Sequence, residues 1–491
     1  MTMKRRTLLH TAAATVAGGV WHLPARGQAS PSPVGAQAAS TPPGSGQAAS
    51  FEPILQTRVR HEGMGLAGAR ADAEGVQFAY AGRRSLADTR APDASSLFEW
   101  GSITKTFTGV LLAQMALARE LRLDEPVEAA IGQRLRDDKG SPITWTDLAT
   151  HRSGLPRLPA NLSPRDPRDP YANYGADALG AFLAAWQPTV SRDTRWEYSN
   201  LGFGLLAHAL AQRAGLSFDA LLRQRILDPL GLSDARLALS GQALPPLLTG
   251  HDAKREHVPR WTFDAMAGAG ALVGPAPALL RYGQAACGLL DTALRPAFEL
   301  AQQPRADGQG RTRMGLGWML APLRGQTVAT HDGGTAGFSA SLWADATGRR
   351  TALVLANAQV PVGDLALHLL EPAVPPRDVA KEAASQQREA VPVEAAALAL
   401  LPGTYELSPQ FAVVVRLRQG RLYAQATGQG EFELFALSPR RFFARVTALE
   451  IHFNDETGVP TGFVLHQGGQ QLRFRRRAEM LRSTEEPAAP R

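Results

Sequence analysis

Phe98-Glu99-Trp100-Gly101-Ser102-Ile103-Thr104-Lys105-Thr106-Phe107 places a Ser-x-x-Lys at the head of an apolar run. Beyond it Phe107, Val110, Leu111, Met115 and Ala118 recur at helical spacing, which predicts a helix starting near Ser102. A serine in the first turn and a lysine three residues later share one face. The partial positive charge at a helix start also favours a forming alkoxide. So short a motif arises by chance, and Ser102 could equally cap a helix beside a solvated Lys105. Lysine usage adds weight to the chemical reading. The chain's lysines are Lys4, Lys105, Lys139, Lys254 and Lys381, and elsewhere it uses arginine. Arginine keeps its proton near neutral pH, whereas a desolvated lysine can lose one and act as a base.

Two further constellations follow. Arg195-Trp196-Glu197-Tyr198-Ser199-Asn200 precedes another apolar helical run. Tyr198 could relay a proton if a nearby cation lowered its pKa, and Asn200 could donate to a substrate carbonyl. Alone, Tyr-x-Asn is also an ordinary turn before a helix. His331-Asp332-Gly333-Gly334-Thr335-Ala336-Gly337-Phe338 lies between two strand candidates. Its glycines would let backbone N–H groups approach a substrate closely, although a plain Gly-rich hairpin has the same pattern.

Strand candidates at Met64–Ala69 and Val76–Ala81 come before the first motif, and others at Gln326–Thr330, Phe338–Trp343 and Thr351–Ala356 come late. Between them Ala176–Ala185, Gly202–Arg213 and Phe218–Ile226 read as helices, and Val362–Leu370 closes the unit. Strands at both ends and helices in the centre predict an α/β (α+β) fold. Its antiparallel sheet is assembled from the two chain ends, flanked by helices, with a helical region inserted. This unit is expected over 51–372. Residues 373–396 are rich in Pro, Ala and Glu and read as a linker. Short strands from Phe411 to Arg475, punctuated by turns, predict an antiparallel β-barrel over 397–481, followed by a tail at 482–491.

Taken together and in this order, the sets at Ser102, Tyr198 and His331 resemble serine β-lactamases of the class C type. They resemble equally the related penicillin-binding D,D-peptidases, D-aminopeptidases and esterases. Leu148-Ala149-Thr150-His151-Arg152-Ser153-Gly154-Leu155-Pro156 and Gly315-Leu316-Gly317-Trp318 are similar to loops of that family. The resemblance spans roughly residues 60–360, and the terminal barrel looks like a lipocalin-like domain appended to such hydrolases. It implies a β-lactamase/transpeptidase-like fold and an acyl-enzyme cycle on an amide or ester. Ser102 would be the nucleophile, with Lys105 and Tyr198 together accepting its proton. Asn200, His331 and Gly333 would bind substrate, and the N–H groups of Ser102 and Gly334 would form the oxyanion hole. His151 would be a loop histidine. No cofactor and no metal are implied.

The pattern departs from class C β-lactamases at His331, where they carry lysine. Histidine is only partly charged at neutral pH and is familiar in the peptidase and esterase branches. That leaves β-lactam, D-amino-acid peptide and ester open as substrates. A protein of another class, a non-catalytic sensor of peptidoglycan fragments or penicillin, would have had no need of Lys105 and Tyr198. The chain lacks the Gly-x-Ser-x-Gly elbow of an α/β-hydrolase.

The remaining signals concern context. The chain is 44% hydrophobic and 20% charged, as expected of a globular protein. Lys4-Arg5-Arg6, the mildly apolar stretch Thr7 to Trp21 and Gly27-Gln28-Ala29 read as a twin-arginine-like signal peptide at 1–29. A Pro/Ser/Ala/Gly tether follows at 30–50. Export to the periplasm without a stable membrane span is the expectation. Of the formal charge of +7, Lys4, Arg5, Arg6 and Arg26 account for 4, leaving +3. That is too little to argue for nucleic acid as a partner. The partner is a small-molecule or peptide substrate, and oligomeric state is not set by the sequence. Cys287, the single cysteine, sits in an apolar run and reads as a buried small hydrophobe.

Overall fold

The computed structural model describes residues 50–477, apart from 244–246, 409–410, 428–429, 447–448, 456–457 and 468–469. The expected leader (1–29), nearly all of the tether (30–50) and the tail (482–491) lie outside the described residues. The chain divides into two compact units, one ending at Pro376 and the other beginning at Arg377.

The first unit is built on an eight-stranded antiparallel sheet. Its order runs Gly75–Gly82, Gly65–Asp72, Arg350–Ala356, Ser339–Asp345, Gln326–Gly334, Met319–Leu323, Arg313–Met314 and Ala306–Asp307. The first hairpin pairs with the last strand, from Leu66 opposite Ala356 to Ala71 opposite Thr351, so the sheet is closed by the two chain ends. The period-2 alternation of strands separates two cores. Leu66, Ala352, Val354 and Ala356 pack on one face with Leu55, Leu365 and Leu369 of the helices Glu52–His61 and Gly363–Leu370. Ala67, Ala69, Leu353 and Leu355 face the opposite way, toward the helix Ala276–Cys287 and the larger core beyond it. Cys287 is buried there.

The helix Glu52–His61 had no counterpart in the sequence reading. Its Arg58 is 1% exposed and is paired with Glu62 and Asp364, and it also donates to the Pro361 carbonyl at 3.1 Å. This ties the first helix to the last. Removing one partner of such a buried pair costs about 3 kcal/mol or more.

The inserted region carries the helices Ala176–Ala185, Asn200–Ala214 and Phe218–Leu222, the last running into a single π turn at Arg223–Leu227. Ser199 caps Asn200–Ala214, its hydroxyl accepting from Gly202 N at 2.8 Å, and Gly215 ends it in the left-handed conformation.

The second unit is a closed eight-stranded antiparallel barrel in sequential order, sealed by Tyr405 opposite Arg476. Tyr405, Phe453, Phe463 and Phe474 pack inside it, and Tyr405 donates to the Leu401 carbonyl at 2.7 Å. Its first strand, Gly403–Ser408, was not anticipated. The expected linker at 373–396 needs correction. It contains the helix Val379–Gln386 and the start of another, Ala395–Ala399. Asp378 opens the first of these, accepting from Lys381 N at 2.9 Å. Val-Ala-Lys-Glu-Ala-Ala is a run of mostly good helix formers, and proline-rich flanks masked that local propensity.

Candidate active site

The strand Phe98–Glu99 pairs with Leu272–Gly274 and delivers the chain into a 3-10 turn, Gly101–Ile103, ahead of the helix Thr104–Leu117. Ser102 therefore stands in the turn that precedes the helix, not in its first α-helical turn as expected. Gly101 has φ +51°, a conformation that costs glycine nothing. A Cβ there would lie 2.7 Å from Gly334 N, and a Cβ on Gly333 would lie 2.0 Å from Trp100 O. Two glycines back to back thus let the end of the strand Gln326–Gly334 rest on the serine turn. Gly334 itself faces open space.

Lys105 is fully buried. Its Nζ is 2.9 Å from Ser102 Oγ and 2.6 Å from the Ala269 carbonyl oxygen. Burial, and secondarily the charge of Arg157, hold its pKa well below the usual lysine range. An amine whose charged form is disfavoured, within hydrogen-bond reach of a serine hydroxyl, is positioned to take its proton.

Tyr198 comes to the same serine, to which its hydroxyl is hydrogen-bonded. Lys105 Nζ lies 4.9 Å from its ring centre and the Arg157 guanidinium 5.0 Å. The expectation that a cation would lower Tyr198 is reversed. Burial raises its pKa above the ordinary phenol value, outweighing the bond to Ser102 and the Arg157 charge. Tyr198 is thus a phenol in the resting site, able to donate a hydrogen bond.

His331 is 1% exposed, and burial together with nearby Lys105 pushes its pKa down to about 3. The ring is therefore uncharged at neutral pH, where partial charge was expected. Nδ1 lies 2.6 Å from the Asp332 carbonyl oxygen, which can only accept, so Nε2 carries the lone pair. Nε2 has no partner among the described residues. His151 is also neutral and buried. Its Nδ1 accepts from Ser199 N at 3.1 Å, and its ring lies 4.5 Å from that of Tyr198. It is a packing support for the tyrosine.

Asn200 Nδ2 donates to the Tyr171 hydroxyl at 3.3 Å, and Oδ1 has no partner among the described residues. Oδ1 is thus an open acceptor, and Nδ2 keeps a second N–H, so the donor role expected toward a substrate carbonyl is not displaced. Asn200 and Tyr171 line a cleft with Ser102, Gly101, Gly334 and Thr335. Trp261, Phe263, Ala269 and Gly270 complete it. Tyr171 and Phe263 stack at 5.2 Å, and Trp261 stands edge-on to Tyr171 at 5.3 Å. The structure therefore brings Ser102, Lys105, Tyr198, Asn200, His331, Gly333 and Gly334 into one neighbourhood.

Sequence reasoning missed Tyr171, Trp261, Phe263, Arg157 and Glu99. The aromatic residues sit on irregular loops with no periodicity. Glu99, an acid between Phe98 and Trp100 in an apolar stretch, was a visible anomaly. Among the described residues no cluster of three or more His, Cys, Asp or Glu side chains is arranged to hold a metal ion.

The sequence model of the family described as Beta-lactamase matches residues 51–371, about two thirds of the chain. The chain belongs to the Beta-lactamase family. It is a serine hydrolase of that family, with a closed β-barrel as its second unit. It is 25% identical over 442 residues to Penicillin-binding protein 4* of Bacillus subtilis, covering 79% of this chain and 90% of that one. D-alanyl-D-alanine-carboxypeptidase/endopeptidase AmpH of Escherichia coli is 26% identical over 276 residues, 52% of this chain and 70% of its own length. Among solved structures, the octameric penicillin-binding protein homologue of Pyrococcus abyssi superimposes with a TM-score of 0.61 at 18% identity. It covers 86% of this chain and 98% of that one. A class C β-lactamase of Rhodobacter sphaeroides gives 0.55 at 23% identity, over 63% of this chain and 93% of that one. These two likenesses speak for the fold alone.

Proposed function

We propose that this β-lactamase-family hydrolase cleaves an amide or ester through an acyl-Ser102 intermediate, with peptides and esters favoured over β-lactams. The observation that carries the reading is Lys105, fully buried with its Nζ 2.9 Å from Ser102 Oγ, where that burial pushes its pKa well below the usual lysine range. Ser102 Oγ attacks the substrate carbonyl carbon while its proton passes to Lys105, directly or through Tyr198. The oxyanion collects between the N–H groups of Ser102 and Gly334. Collapse breaks the bond to the leaving nitrogen or oxygen, and Tyr198 supplies its proton. A water activated by the same pair then releases the acid and restores Ser102. Asn200 Oδ1 takes the N–H of the acyl part, which lies along Tyr171, Trp261 and Phe263. Gly333 holds the strand end against the serine turn.

Substrate preference follows from His331. An uncharged imidazole offers no fixed cation to anchor a carboxylate beside the scissile bond, which favours esters and internal peptide bonds over β-lactams. The relatives include a D-alanyl-D-alanine carboxypeptidase/endopeptidase and a penicillin-binding protein as well as proteins named Beta-lactamase, so they support both branches and leave the choice to the site. Turnover of nitrocefin, a D-Ala-D-Ala peptide and p-nitrophenyl esters tests this. The expected order is p-nitrophenyl ester above nitrocefin by at least about 100-fold in kcat/KM, with the D-Ala-D-Ala peptide, whose terminal carboxylate also lacks a fixed cation, below the ester; nitrocefin as the best substrate would contradict it.

We also propose export to the periplasm by the twin-arginine route, supported by Arg5-Arg6 and the short apolar stretch after them. Among the described residues no helix is long and apolar enough to cross a membrane.

A further inference from the structure

Glu99 is a buried carboxylate one turn before the nucleophile, 3% exposed, and the acyl-transfer steps make no use of it. Its strand pairs with Leu272–Gly274 and leads directly into Trp100-Gly101-Ser102. Oε1 accepts from Trp261 N at 3.0 Å, and the Thr335 side chain stands near enough to act on the same carboxylate as a donor that lowers its pKa. Thr335 Oγ in turn accepts from Phe338 N at 3.2 Å, so its own hydrogen is free to point at Glu99. Trp261 and Thr335 both line the cleft, and Thr335 follows Gly334 in the chain. The next loop residue, Thr262, is held from the other side by Asp169, which accepts from its N at 2.8 Å and from its hydroxyl at 2.6 Å.

We infer that Glu99 is a positioning residue that fixes the acyl-side wall and the oxyanion strand relative to Ser102. One side chain joins three segments distant in sequence: the serine turn, the strand end at Gly334-Thr335 and the aromatic loop at Trp261–Phe263. Each supplies a different part of the proposed reaction, so the role rests on the acyl-Ser102 reading. A shift of about 1 Å in such a wall costs on the order of 100-fold in rate. Selectivity among acyl groups is then set partly by Glu99, because Trp261 reaches large acyl groups and not an acetyl.

Burial, and to a lesser extent Asp169, raise the carboxyl to about 7, against the hydrogen bonds and the opposing charge of Arg260. Glu99 therefore changes charge near neutrality. Ionised, it accepts both bonds; protonated, it has one fewer acceptor site to offer.

The test compares Glu99→Ala and Glu99→Gln with the wild type on p-nitrophenyl acetate and p-nitrophenyl phenylacetate. Glu99→Ala is expected to lower the phenylacetate-to-acetate ratio of kcat/KM by about 10-fold or more. Glu99→Gln keeps acceptors for Trp261 N–H and the Thr335 hydroxyl, and its ratio should stay within about 3-fold of wild type. Thr335→Val, which cuts only the strand tie, should lower kcat on both esters alike by about 10-fold; it decides the matter if Glu99→Ala does not fold. An unchanged ratio in folded Glu99→Ala, an equal loss in Glu99→Gln, or an unaffected Thr335→Val would each overturn the role. Ser102→Ala run alongside separates the two questions. Residual turnover there contradicts the acyl-serine reading, whereas an unchanged ratio with Ser102 still labelled contradicts only the role of Glu99.

Discussion

Lys105→Met is expected to lower kcat/KM on any turned-over ester by about 10⁴-fold while leaving the melting temperature unchanged or raised. The amine is fully buried and, among the described residues, is bonded only to Ser102 Oγ and the Ala269 carbonyl. Replacing it with an unbranched apolar chain removes a desolvated polar group without opening a large void. Activity falls because Tyr198, left beside the serine, still holds its own proton, and more tightly than an ordinary phenol does. Lys105→Arg is expected to be no better, since a guanidinium stays charged. The same argument gives a pH dependence. The base works deprotonated, so kcat/KM rises with pH through the Lys105 pKa, which lies well below the usual lysine range. Arg157 is the second cause of that depression, so Arg157→Ala should move the limb to higher pH. A pH–rate profile of the two proteins checks it, and a limb that moves down or not at all would count against Lys105 as the titrating base.

The second large effect is expected at a residue without a side chain. In Gly333→Ala the added methyl would lie 2.0 Å from the Trp100 carbonyl oxygen. Backbone must give way, and what gives is the contact that sets Gly334 N against the Ser102 turn. Loss or displacement of one oxyanion donor costs about 10²- to 10³-fold in kcat. KM should change less than kcat, because Tyr171 and Asn200 in the cleft wall lie outside the displaced strand end, whereas Gly334 and Thr335 move with it. Steady-state kinetics that placed the loss in KM instead would mean that the strand end holds ground-state substrate and does not stabilise the transition state.

What the sequence disclosed and withheld follows a physical division. Periodic segments were legible. Ala176–Ala185 falls on its expected bounds, and so do the barrel strands Phe411–Arg418, Arg421–Ala426, Leu449–Phe453 and Gly462–Gln467. Burial on one face dictates their spacing. The three motifs were legible as a set because each is a local device: a turn into a helix, a capped helix start and a glycine-rich strand end. Groups acting through space were not. Glu99 meets Trp261 across 162 positions, and Asn200 meets Tyr171 across 29. No periodicity announces either pair. Charge states were misjudged for the same reason. His331 and Tyr198 carry ordinary pKa values as isolated residues, and only the desolvation created by folding makes one neutral and the other a reluctant acid. The helix Val379–Gln386 was missed differently: proline-rich flanks outweighed good local propensity.

The central claim is that Ser102, served by Lys105, forms the acyl bond. Intact-mass measurement after treatment with a fluorophosphonate tests it most directly, in wild type and Ser102→Ala side by side. One adduct on the wild type, mapped to the peptide containing Ser102, and none on Ser102→Ala is the expected result. An adduct of equal yield on Ser102→Ala would contradict it.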